Sequence, residues 1–174
     1  MYTNPTFNLR AEIFTMKTGI TLVTGLALAG SLATAAISDG HADKATMAAV
    51  KARKATMQLY AFNLGILGAM AKGAVDYDAG AASAAAGNLA ALASMNQMAI
   101  WPPGSDNAAL GDATAALPAI WAEGSKIGEA GMAMVTSAAA LSDAAGGGLD
   151  SLRGAIGAVG KSCGGCHDTY RQPK

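Results

Sequence analysis

The final helical segment of this chain carries an apolar line that ends in reactive side chains. Leu149, Leu152, Ile156 and Val159 recur at three- and four-residue spacing, and the same line runs on through Cys163, Cys166, His167 and Tyr170. On a helix these residues share one face, so whatever the thiols and the imidazole bind must lie against the core. The chain has only 2 cysteines and 2 histidines. A fold that places these two thiols and the neighbouring histidine inward has to be built around them.

Three earlier segments repeat the helical period. From Asp43 to Lys72 the stripe is Val50, Met57, Ala61, Leu64, Leu67 and Ala71, with Gly73 as the stop signal. From Asp78 to Met98 it is Ala81, Ala85, Leu89, Leu92 and Met95, ended by Pro102, Pro103 and Gly104. A third segment starts near Pro118, a residue tolerated in a first turn, and runs through Trp121, Ile127, Met134, Ala138 and Leu141 to Ala145. Gly146, Gly147 and Gly148 break it, and the last segment spans Leu149 to Arg171. No stretch alternates with period two. Two short links and one long middle connection predict an all-α fold, an antiparallel four-helix bundle covering residues 43–174. The chain is 52% apolar but only 5% aromatic, and the apolar share is mostly alanine. Such helices approach closely yet offer few large side chains, so a bulky buried cofactor would help this core exclude water.

Residues 1–42 read as an N-terminal extension followed by a signal peptide. Lys17 precedes an apolar run from about Ile20 to Leu32 and then small residues, with Met16 as an alternative start. Cleavage after Ala35, Ala36 or Ala42 meets the small-residue rule. The run is short for a membrane span, so the expectation is export to the periplasm without stable membrane insertion; a retained anchor is the alternative. Cleavage after Ala42 would remove His41 and leave His167 as the mature chain's only histidine.

Formal net charge is zero, which argues against a nucleic-acid partner. The charge is partitioned, however. Residues 43–72 and 151–174 are mainly basic, whereas residues 73–150 are mainly acidic. Such faces usually pair between neighbouring helices, and they could also neutralise an anionic ligand between the first and last helices.

Cys-x-x-Cys-His is the attachment signature of c-type haem, with two thiols for two vinyl groups and an adjacent imidazole for the iron. Gly164 and Gly165 clear side chains where the macrocycle edge would approach the backbone. Three rivals are weaker. A disulfide oxidoreductase places its Cys-x-x-Cys at a helix start after a strand. A disulfide over this spacing closes little chain and strains its geometry. A structural zinc site lacks its remaining ligands.

With these residues in hand, the sequence resembles the cytochrome c′ family. The likeness rests on "VKARKATM", "NLAALASMNQMAIWPPGS", "AIWAE" and "VGKSCGGCHDTYR". It implies a four-helix bundle with one covalently attached haem c, thioethers at Cys163 and Cys166, and His167 as the proximal iron ligand. It further implies a basic residue near that histidine at Arg171 and a first-helix arginine beside the haem at Arg53. The residue four positions after that arginine faces the iron from the other side, and here it is Met57.

In this family a methionine there implies a six-coordinate, low-spin electron carrier, whereas a bulky apolar residue implies a five-coordinate, high-spin iron that binds nitric oxide or carbon monoxide. The expectation is therefore an exported monohaem electron carrier with His167 and Met57 as axial ligands, serving redox partner proteins. The alternative is gas binding at an open sixth position. No acid, base or nucleophile pattern suggests an enzyme. The resemblance also implies a possible homodimer through the first two helices.

Overall fold

The structure is a computed structural model that describes residues 43–173; the expected extension and signal peptide, with His41, lie outside them. Helix α1 spans Lys44–Ala71. It begins where the Asp43 carboxylate accepts the Thr46 N–H at 2.6 Å, satisfying one of the first-turn donors that have no partner inside the helix. It ends at Gly73, whose φ of 72° few other residues adopt. Helix α2 spans Ala79–Ser94 and is capped in the same way by Asp78 through the Ala81 N–H. A short helix α3 covers Asn107–Leu110. Helix α4 spans Ile127–Ala144 and α5 spans Leu149–Tyr170.

The four long helices form a ring in which α1 packs on α2, α2 on α4, α4 on α5, and α5 returns to α1. Leu67, Leu89, Leu141, Leu152 and Val159 are fully buried at its centre. Ala82, Ala86, Ala138 and Ala145 are equally buried, so small side chains let the helices close around a few leucines. Tyr77 ties two helix links together, donating to the Ala145 carbonyl at 2.7 Å and accepting from the Gly148 N–H at 3.0 Å.

Two expected helix boundaries differ. The second helix stops at Ser94 rather than Met98, because the Gln97 side-chain amide donates back to the Leu92 carbonyl and the Asn96 side chain takes the Met98 N–H. Residues Met98–Ile100 form a separate 3-10 turn. The third long helix begins at Ile127 rather than Pro118. Pro118–Ile120 makes one 3-10 turn, and Gly124 at φ 74° reverses the chain before the helix can start. Trp121 therefore belongs to the connection.

The inward phase also shifts. Helix α1 buries Val50, Arg53, Asn63, Leu67 and Met70, whereas Met57 is 37% exposed and Ala61 is exposed. In α2 the buried positions include Ala82 instead of Ala81, and Met95 is exposed. The stripe of α5 follows the sequence pattern, with Leu152, Val159 and Tyr170 buried. Among the described residues no helix is long and apolar enough to cross a membrane.

Candidate haem site

Helices α1 and α5 run antiparallel. The Arg153 Nε donates to the Ala71 carbonyl at 2.8 Å near one end of the pair. Farther along, Leu64 and Ile156 line a shared groove of about 640 Å³ with Gly65, Gly68 and Gly160. A Cβ added at any of these three glycines would meet no atom within 4 Å, so these positions face open space. Farther still, Tyr60 lies close enough to Cys163 for that thiol to influence its titration. Because both helices rise equally per residue, this register brings Met57 to the level of His167.

Cys163 and Cys166 are free, half-buried thiols on the inward face of α5. Cys163 packs against the main core, with its Sγ 4.0 Å from the Met134 Sδ. Cys166 borders a second apolar cluster formed by Ala116, Ile120 and Tyr170 with Trp101 and Trp121. Burial pushes both thiols above their ordinary titration range, and Cys163 adds to the effect on Cys166. Burial also lowers His167, and the Arg171 charge lowers it further against an opposing influence of Asp168. The imidazole is thus held toward its neutral form, the one whose nitrogen can bind a metal.

The donor set suits a haem better than an ion. Among the described residues no group of three or more His, Cys, Asp or Glu side chains is placed to hold a metal ion, so zinc has no site here. A Cβ at Gly164 or Gly165 would meet nothing within 4 Å, which leaves open space beside the two thiols. The Cys-x-x-Cys pair lies late in a helix, and the described residues include no strand in front of it, unlike the setting of a redox dithiol.

Arg171 caps α5, its N–H bonding the His167 carbonyl at 3.2 Å, and its side chain is exposed. Arg53 is only 3% exposed, and its guanidinium is directed into the connection between α2 and α4. It donates to the Ser105 Oγ at 3.0 Å, to the Ser105 carbonyl at 2.8 Å and to the Thr114 Oγ1 at 2.8 Å. It also lies over the Trp101 ring, 4.4 Å from the centroid. Burial lowers its titration range.

The sequence pattern did not single out Tyr60, Ser105 or Thr114. The Tyr60 hydroxyl accepts the Gln97 amide at 3.1 Å; burial raises the phenol, which the Gln97 bond opposes and Cys163 reinforces. A tyrosine one turn after Met57 was the available signal. Ser105 and Thr114 sit in irregular chain, where periodicity carries no information.

The sequence pattern of the family described as "Cytochrome C'" matches residues 48–171. The chain belongs to the cytochrome c′ family. Cytochrome c-554 of Cereibacter sphaeroides is 44% identical over 125 residues, covering 71% of this chain and 92% of that protein. A cytochrome c′ of the same species is 42% identical over 122 residues, covering 70% of this chain and 81% of its own length. Among solved structures, a cytochrome c′ described as from Rhodobacter Spheriodes superposes with a TM-score of 0.72 at 39% identity, over 76% of this chain and all of that one. As a member of the family the protein binds a covalently attached haem c, whose iron supplies one-electron and axial-ligand chemistry.

Proposed function

We propose that this protein is a periplasmic haem c protein whose iron takes small diatomic gases, nitric oxide or carbon monoxide, on the side facing α1. Cys163 and Cys166 carry the porphyrin as thioethers, His167 is the proximal ligand, and Met57 is the side chain that an incoming gas meets. The observations that carry this reading are the likeness to a relative described with such gases bound and the register that sets Met57, a flexible thioether that a gas can displace, at the level of His167. One relative supports the gas reading: two solved variants of the cytochrome c′ of Alcaligenes xylosoxidans are described with carbon monoxide bound and with nitric oxide bound, at 33% and 32% identity.

The second reading is an electron carrier serving redox partner proteins, with His167 and Met57 both on the iron. The α1/α5 register favours it, because it sets a potential soft ligand opposite the histidine. Neither reading needs a turnover substrate. A homodimer through α1 and α2 fits the exposed Leu59 and Phe62 on α1. One solved relative, 28% identical, is described as having a ligand-controlled dimer dissociation.

Absorption spectra of the haem-loaded protein and of Met57→Ala, oxidised and reduced, test the proposal. A native spectrum that is high-spin, or that shifts readily with carbon monoxide, is the expected result. An oxidised low-spin spectrum whose sulfur-to-iron charge-transfer band disappears in Met57→Ala, together with a reduced spectrum that carbon monoxide leaves unchanged, would transfer the function to electron carriage.

A further inference from the structure

We infer that residues 115–117 of the middle connection form a latch on the end of α5, and that this latch positions His167. The inference rests on His167 as the proximal ligand and not on the identity of the sixth. His167 lies in the last turn of α5. The last four carbonyls of a helix have no partner within it, so an unheld end frays. Here the end is held. Ala116 and Arg171 pair in an antiparallel bridge. On one side of it the Leu117 N–H donates to the Tyr170 carbonyl at 3.0 Å, and on the other the Gln172 N–H donates to the Ala115 carbonyl at 2.8 Å. Both bonds run from main chain to main chain, so a porphyrin held by the side chains of Cys163, Cys166 and His167 competes for neither.

The latch is itself anchored. The Ala116 N–H donates to the Thr114 Oγ1 at 3.2 Å, and the Ala116 carbonyl accepts the N–H of Asn107, the first residue of α3, at 2.8 Å. Tyr170 adds a side-chain tie. Its ring is buried in one cluster with Ala116 and Ile120, and its hydroxyl accepts the Lys126 N–H at 2.9 Å. Lys126 stands directly before α4, so the phenol joins the end of α5 to the start of α4. The route from the latch to the histidine is one bond long, because the Arg171 N–H donates to the His167 carbonyl at 3.2 Å. The residue that pairs with Ala116 thus also closes the turn that carries the imidazole. The orientation and surroundings of an axial ligand set the potential of a haem, and a loosened last turn lets the imidazole sample more than one position.

Three variants of the haem-loaded protein test this. Gln172→Pro removes the N–H that reaches Ala115, and Arg171 already has the extended backbone, φ −119° and ψ 135°, that a residue before proline adopts. Gln172→Ala keeps that N–H and loses only the side-chain bond from Asn107, so it is the control. Tyr170→Phe keeps the ring and removes the acceptor of the Lys126 N–H. The readouts are amide exchange at Leu117 and Arg171 and the reduction potential of the haem. Gln172→Pro and Tyr170→Phe are each expected to speed exchange at both amides about two- to tenfold, the factor matching one neutral hydrogen bond. Both should shift the potential in the same direction, and Gln172→Ala should do neither. If exchange is unchanged, if it quickens while the potential keeps its native value, or if Gln172→Ala shifts the potential as far as Gln172→Pro, the inference is overturned. His167→Gly checks the assignment beneath it, and should lose the native haem spectrum and regain it with added imidazole. A native spectrum retained in that variant would overturn the proximal assignment, and the latch with it.

Discussion

Tyr77→Phe removes one oxygen atom from the end of the bundle remote from Cys163 and His167, and its effect can be worked from two distances. The hydroxyl donates to the Ala145 carbonyl at 2.7 Å and accepts the Gly148 N–H at 3.0 Å, and Tyr77 is half-buried. The Gly148 N–H lies at the start of α5, where no helical acceptor exists for it. Each hydrogen bond contributes about 0.5–1.5 kcal/mol net, so the loss of both should cost about 1–3 kcal/mol. With a urea m-value of about 1–3 kcal/mol per molar, typical of small proteins, the unfolding midpoint should fall by roughly 1 M. The assay is urea denaturation of the haem-loaded protein, followed by far-ultraviolet circular dichroism and by haem absorption. The folded variant should keep the native haem spectrum, because the register places Tyr77 at the Arg153 end of α5. An unchanged midpoint, or a changed haem spectrum before unfolding, would refute the reasoning.

Leu152→Ala opens a cavity at a fully buried position and should cost about 2–5 kcal/mol in the same urea assay, with a smaller loss showing that the alanine-rich helices collapse into the space. The Asp43 carboxylate is held below its ordinary range chiefly by the Thr46 N–H. Its capping contribution should therefore be complete above the ordinary carboxylate range and vanish as pH falls through the lowered value. Exchange at the Thr46 amide should rise across that acid window in the native protein but not in Asp43→Asn.

The four long helices and the α5 stripe were legible because each follows from spacing on a regular element. Leu152, Val159 and Tyr170 are buried where a 3.6-residue period puts them. The middle connection was not legible, because its shape is set by single side-chain bonds. The Gln97 amide ends α2 early and Gly124 delays α4, and neither leaves a periodic trace. Arg53 shows the limit most clearly. A period-based stripe admits apolar residues, so it passed over a buried arginine. A guanidinium is buried here at a desolvation cost that its hydrogen bonds offset, and its partners lie 47 to 61 residues away in sequence.

The same geometry explains why α1 needs anchors that are not apolar. Helices α1 and α5 line an open groove along Gly65, Gly68 and Gly160. Leu67 and Met70 seat α1 in the main core. Directional bonds at its two ends add to that packing. At one end the Arg153 Nε meets the Ala71 carbonyl; at the other the Arg53 fork meets Ser105 and Thr114. These polar contacts, one exposed and one buried, thus fix the two ends of α1 where the alanine-rich interior supplies few large side chains.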